Sequence, residues 1–193
     1  MSPAVSACRT GALIRTLEVR LLMRTFCEAF CVEPPKLKGL SADQSLRMFL
    51  EFTAACMEIA QGDERLAHYL RTRLGASARL LGKRVRTLCP LPTTKRYTLA
   101  RWLYRGIGIE LSGTPPESLR FGPCVFASRY TAGDCWFMSA FDEGFLRGLW
   151  SLDEADLVFS CRLTQGANCC RAHFSAALGK GGGPWDFTQA RLS

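Results

Sequence analysis

A change of hydrophobic period near Gly106 constrains this chain more than any other feature. Before it, apolar residues recur at steps of three and four and stop at helix breakers; after it, they alternate or run in short blocks divided by Gly and Pro. Leu13, Ile14, Leu17, Leu21 and Leu22 mark a first helix that Pro34-Pro35 stops. Ser41-Ala-Asp-Gln44 spells a capping box, in which the hydroxyl accepts from the third helical amide while Gln reaches back. The helix it opens carries Leu46, Phe49, Leu50 and Met57 and ends near Gln61-Gly-Asp. Asp63-Glu64 begins a third helix that turns Leu66, Leu70, Leu74, Leu81 and Val85 inward. Cys89-Pro-Leu-Pro separates it from a fourth, Lys95 to Arg105, with Tyr97, Leu99, Trp102 and Leu103.

Beyond Gly106, Ile107–Leu111 and Leu119–Ala127 read as strands joined by a Gly113-Thr-Pro-Pro turn. Gly133-Asp134 caps a helix running to Trp150, and a hairpin pairs Leu157–Thr164 with Cys169–Ser175. The expected fold class is α+β: N-terminal helices packed on a small antiparallel sheet with one inserted helix. The 193 residues suit a single domain. Residues 10–105 form its helical part, 106–176 the strand–helix–hairpin part carrying the site, and 177–193 a flexible tail that holds Trp185 and Phe187.

Ten cysteines and a formal charge of +8 narrow the function classes. Met1 to Gly11 contains no apolar stretch of signal-peptide length, and Arg15, Glu18 and Arg20 interrupt the apolar run from Ala12 to Met23. No membrane span is therefore expected, and a reducing cytoplasmic setting with mostly free thiols is. There is no Cys-x-x-Cys pair, and only His68 and His173 are present as imidazoles, so no metal or other cofactor is expected. Phosphate-loop, His-Glu-x-x-His and Gly-x-Ser-x-Gly signatures are absent from the sequence. The third helix holds Arg65, Arg71, Arg73, Arg79, Lys83, Arg84 and Arg86. They spread around it with no recognition motif, so nucleic acid is not the expected partner. A homo-oligomer is compatible with the sequence.

Two cysteines have a physical case as nucleophiles. Cys135 follows Gly133-Asp134 and so falls in the first turn of its helix, where the dipole and free amides favour a thiolate. Ser139 and Asp142 follow at i+4 and i+7, which lines up all three on one face. A small buried residue is the plain alternative for Cys135. Cys124 ends a strand after Gly122-Pro123, close in sequence to Arg129 and Tyr130. Cys27, Cys31, Cys56 and Cys161 read as packing, and Cys8 falls in a fraying terminus.

With a four-residue loop, Thr164 would oppose Cys169 in the last hairpin. Strict alternation then gives one face to Phe159, Cys161, Leu163, Cys170, Ala172 and Phe174, and the other to Arg162, Thr164, Cys169, Arg171 and His173. The second face is either a solvated strand surface or an arginine cluster for a carboxylate. Cys169 and His173 stand too far apart along a strand to act as a nucleophile–base pair.

The segments Cys124-Val-Phe-Ala, Cys135 with Phe141-Asp-Glu-Gly, and Leu163-Thr-Gln-Gly-Ala-Asn-Cys-Cys-Arg-Ala-His-Phe resemble the L-2-amino-thiazoline-4-carboxylic acid hydrolase-like family. The closing pattern is similar, more weakly, to the 4-vinyl reductase small-molecule-binding domain. The first resemblance implies cofactor-independent opening of a cyclic amidine on a small, amino-acid-derived carboxylate. It implies attack by Cys135 or Cys124, proton transfer by Asp142, and a substrate held by Arg129 or Arg162 near Ser139, Cys169, Cys170 and His173. The second implies a non-catalytic small-molecule sensor.

Overall fold

The computed structural model describes residues 3–152 and 154–176, with side chains from Ile14 onward; the stretch holding Trp185 and Phe187 lies outside the described residues. Four helices, α1 (Pro3–Phe30), α2 (Ala42–Gln61), α3 (Glu64–Leu88) and α4 (Thr93–Gly106), precede the first hairpin, β1 (Ile109–Thr114) and β2 (Ser118–Cys124). Helix α5 (Ala132–Trp150) follows, and then the second hairpin, β3 (Ala155–Cys161) and β4 (Cys170–Ala176). The strands form one antiparallel sheet in the order β1-β2-β4-β3. The class is α+β, with helices leading into the sheet and one helix inserted between its hairpins.

Local chemistry accounts for most of the boundaries. Ser41 Oγ accepts the Gln44 amide while Gln44 Oε1 accepts the Ser41 amide, so both orphan donors are satisfied. Asp63 caps α3 by accepting from the amides of Arg65 and Leu66. For α5 the cap is Thr131 rather than Gly133-Asp134: Thr131 Oγ1 accepts the Asp134 amide, and Asp134 Oδ2 accepts the Thr131 amide.

Several boundaries and faces differ from the sequence expectation. Helix α1 already includes Cys8, so that residue is not in a frayed end. The buried face of α1 is Val19, Leu22, Met23 and Phe26, with Leu17 58% and Leu21 37% exposed. Phe26 sets this phase: it stacks on Phe30 at 4.0 Å and meets Phe49 edge-on at 6.3 Å, and aromatic area outweighs the two leucines. Leu66 and Trp102 likewise face outward. Cys31 is exposed, not packed, because it ends α1 in a left-handed turn at φ 54° and meets the Arg73 guanidinium at 2.9 Å. Strand β2 stops at Cys124, since residues Val125–Ser128 tighten into a 3-10 turn.

The change of period at Gly106 does not divide the packing. Helix α5, encoded after it, lies along α3 in the helical layer. A Cβ at Gly144 would stand 2.0 Å from the Gly75 carbonyl oxygen, and one at Gly148 would stand 2.2 Å from that of Arg79. On the α3 side, a Cβ at Gly82 would come 2.2 Å from the Phe145 oxygen. The two backbones are thus in direct contact. Arg71 adds a tie, with its Nε donating to the Trp136 carbonyl at 3.2 Å and its guanidinium over the Trp136 ring. One apolar core runs from Val19 on α1 to Phe174 on β4. Among the described residues, no helix is long and apolar enough to cross a membrane.

Candidate functional site

The face of α5 turned away from α3 does not pack closely against the sheet. Between them lies a cavity of about 70 Å³. Helix α5 contributes Cys135, Met138, Ser139 and Asp142; Cys124 closes the end of β2; Arg162 and Cys170 come from the two ends of the β3–β4 connection. Ile107, Ile109, Phe121, Phe126, Phe141 and Phe159 supply apolar walls. The space suits a few waters or a small fragment, and it is well short of the roughly 300–1,000 Å³ that drug-sized ligands occupy.

Six of the nine residues singled out from sequence meet here: Cys124, Cys135, Ser139, Asp142, Arg162 and Cys170. The other three do not line it. Arg129 is exposed just after the 3-10 turn, His173 faces outward from β4, and Cys169 is buried against Gly122 behind the sheet.

Arg162 joins Cys170 because strict alternation fails at the end of β3. Phe159 pairs with Ala172, but Cys161 pairs with Arg171, so Ser160 is an extra residue that reverses the side-chain parity. The connection is also longer than four residues: it runs from Arg162 to Cys169 and contains a 3-10 turn, Leu163–Gln165. Arg162 is consequently buried, with its guanidinium carbon 4.9 Å from the centre of the Phe159 ring.

Burial dominates the electrostatics. The Cys135 thiol is pushed up to about 11 by desolvation, and the neighbouring Cys170 and Asp142 charges add to this. Thr164 and Arg162 pull it partly back; the Thr164 hydroxyl lies close by but falls short of a formed hydrogen bond. The first-turn expectation of a depressed value is therefore overturned. The Cys135 amide is already bonded to the Thr131 carbonyl at 3.0 Å, and burying the sulfur outweighs the helix dipole. Cys124 is pushed up to about 12 by burial, against the Phe126 and Ala127 amides. Cys170 also rises, although the Leu163 amide donates to its sulfur at 3.3 Å. Asp142 is raised by burial to about 7, with the Tyr104 hydroxyl and Arg162 opposing the rise.

Sequence reasoning missed the tyrosines and threonines around this cavity. Tyr104, at the end of α4, donates to Asp142 Oδ1 at 2.8 Å. Tyr130 lines the cavity, and its hydroxyl meets Thr53 Oγ1 of α2 at 2.5 Å. No local pattern announces them, since each reaches the site from an element distant in sequence. Behind Leu22, Ile107 and Phe141 lies a second apolar cavity of about 60 Å³, bordered by Glu18. Both Glu18 carboxyl oxygens are buried without a hydrogen-bond partner, and desolvation raises that group to about 7.

The nine described cysteines are all free. Among the described residues, no three His, Cys, Asp or Glu side chains are grouped to hold a metal ion. No protein-family model, curated protein or solved structure matches this chain.

Proposed function

We propose that the chain is a cofactor-independent, cysteine-dependent hydrolase. It opens the C–N bond of a small carboxylate-bearing cyclic amidine, as the resemblance to the L-2-amino-thiazoline-4-carboxylic acid hydrolase-like family implies. The observation that carries this reading is the meeting of Cys124, Cys135, Asp142 and Arg162 in one cavity. With an empty cavity the thiols keep their protons at neutral pH. Asp142, whose carboxyl titrates near 7, is placed to accept one.

In the reaction, the sulfur of Cys135 (or Cys124) bonds to the amidine carbon, and Asp142 takes the thiol proton. The ring C–N bond breaks as Asp142 returns that proton to the departing nitrogen. Water then adds to the carbon, the S–C bond breaks, and the thiol recovers a proton. Arg162 holds the substrate carboxylate. The reading includes a cytoplasmic location, where thiols stay reduced.

A second reading has its own support. The mostly apolar walls and uniformly raised thiols also suit a non-catalytic sensor of the 4-vinyl reductase type, which would bind a small molecule without attacking it.

Incubation with 2-amino-2-thiazoline-4-carboxylate, followed by mass spectrometry, separates the two. The hydrolase reading expects a ring-opened product heavier by one water. It also expects loss of turnover by at least about a hundredfold in Cys135→Ala or Cys124→Ala, with thermal stability retained. Binding without turnover supports the sensor, and turnover untouched in both variants removes the nucleophile.

A further inference from the structure

Proton bookkeeping around the cavity gives its hydroxyl wall a definite polarity. Thr53 is fully buried on α2, and its Oγ1 donates back to the Phe49 carbonyl at 2.7 Å, with that of Leu50 at 3.3 Å. A threonine has one hydroxyl proton, and this bond uses it. The 2.5 Å contact between Thr53 Oγ1 and Tyr130 Oη therefore has Tyr130 as donor. The opposite arrangement would leave the Tyr130 proton facing carbon and sulfur, since no other described acceptor lies within reach of that buried hydroxyl. The Tyr130 oxygen is close enough to Cys124 and Cys135 for their charges to act on it, and its remaining lone pair is what it offers there. Ser139 behaves alike: its hydroxyl proton goes to the Trp136 carbonyl at 2.7 Å, which leaves its oxygen as an acceptor on the same wall.

We propose that Thr53, which does not line the cavity, is a positioning residue: it fixes Tyr130 as an acceptor, so the cavity selects ligands that present N–H donors to this wall. This rests on the cavity being the ligand site of the proposed function, but it holds equally for a catalyst and for a sensor. It also explains a buried threonine at a position where a valine would fill the same space without competing for the helix carbonyl.

The test compares two probes of equal shape, 2-amino-2-thiazoline-4-carboxylate and 2-methyl-2-thiazoline-4-carboxylate, which differ by NH₂ against CH₃. Binding is measured by calorimetry on the full chain. The wild type should prefer the amino compound by about tenfold, the usual worth of one buried hydrogen bond. In Thr53→Val the Tyr130 proton is released toward the cavity, and the preference should fall to about one or invert. Thr53→Ser keeps both bonds and should restore it, while Tyr130→Phe should abolish it even if Thr53→Val does not fold. An unchanged preference in Thr53→Val or Tyr130→Phe overturns the proposal. Cysteine-dependent turnover with an unchanged preference defeats this inference alone. The stated preferences with turnover indifferent to both cysteines defeat the hydrolase alone. If neither compound binds at about 10 mM, both fall.

Discussion

Helix α5 has two faces that work in opposite senses. At about 100° per residue, Phe137, Ala140, Gly144 and Gly148 fall on one side, and Cys135, Met138, Ser139 and Asp142 on the other. The first side touches α3 backbone to backbone, with no room for a methyl group at Gly144 or Gly148. The second leaves a cavity lined by thiols, a carboxyl and a guanidinium. Packing energy is concentrated on the glycine side, and unpaired chemistry is tolerated on the other because that side supplies the rigidity. A site built on a helix braced in this way holds its groups more firmly than one built on loops.

The comparison can be broken most sharply at the seam. Gly144→Val should destabilise the chain by about 3 kcal/mol or more, measured by urea unfolding, since its branches would enter the Gly75 carbonyl and force the helices apart. A loss below about 1 kcal/mol would mean the seam is softer than described.

On the cavity side the next largest effect is a gain. Asp142 and Glu18 are both raised by burial to about 7. A carboxyl with a folded value above its unfolded value binds more protons when folded, so stability falls as pH rises from about 4 to about 7 and then levels off. Asp142→Asn keeps an oxygen for Tyr104 and should raise stability at pH 8 by on the order of 2 kcal/mol, while changing little at pH 4. A thermal series across that range checks it; equal shifts at both ends would show that the group does not titrate as described. Glu18→Gln should remove the remainder of the slope by a smaller amount, since that residue is only partly buried. The smallest effect belongs to Ser139→Ala, below about 1 kcal/mol, because it deletes only a local bond to the Trp136 carbonyl.

The same division explains what could be read from the sequence. Helix limits were legible where a side chain caps its own backbone, as at Ser41 and Asp63, because that chemistry is local. The alignment of Cys135, Ser139 and Asp142 was legible because helical spacing alone places them together. Arg162 was assigned to the wrong face because one extra residue, Ser160, reverses strand parity, and no composition signal marks it. The thiol acidity was misjudged for a different reason: position in a helix is visible in sequence, whereas depth of burial is a property of the whole fold. Thr53 and Tyr130 stand 77 residues apart, and only tertiary packing makes them a pair.

The start of α5 is fastened twice. Asp134 is engaged by Thr131 and also receives Gln61 Nε2 from the end of α2 at 3.0 Å, while Gly133 sits so close to Gln61 that a Cβ would meet its Oε1 at 2.1 Å. This junction sets the angular phase of everything downstream. One residue inserted between Thr131 and Cys135 would turn the helix by about 100°, carrying the thiol out of the cavity and rotating Gly144 off its partner. Insertions are thus affordable in the Pro115–Glu117 turn or between Arg162 and Cys169, but along α5 the count of residues is itself part of the site.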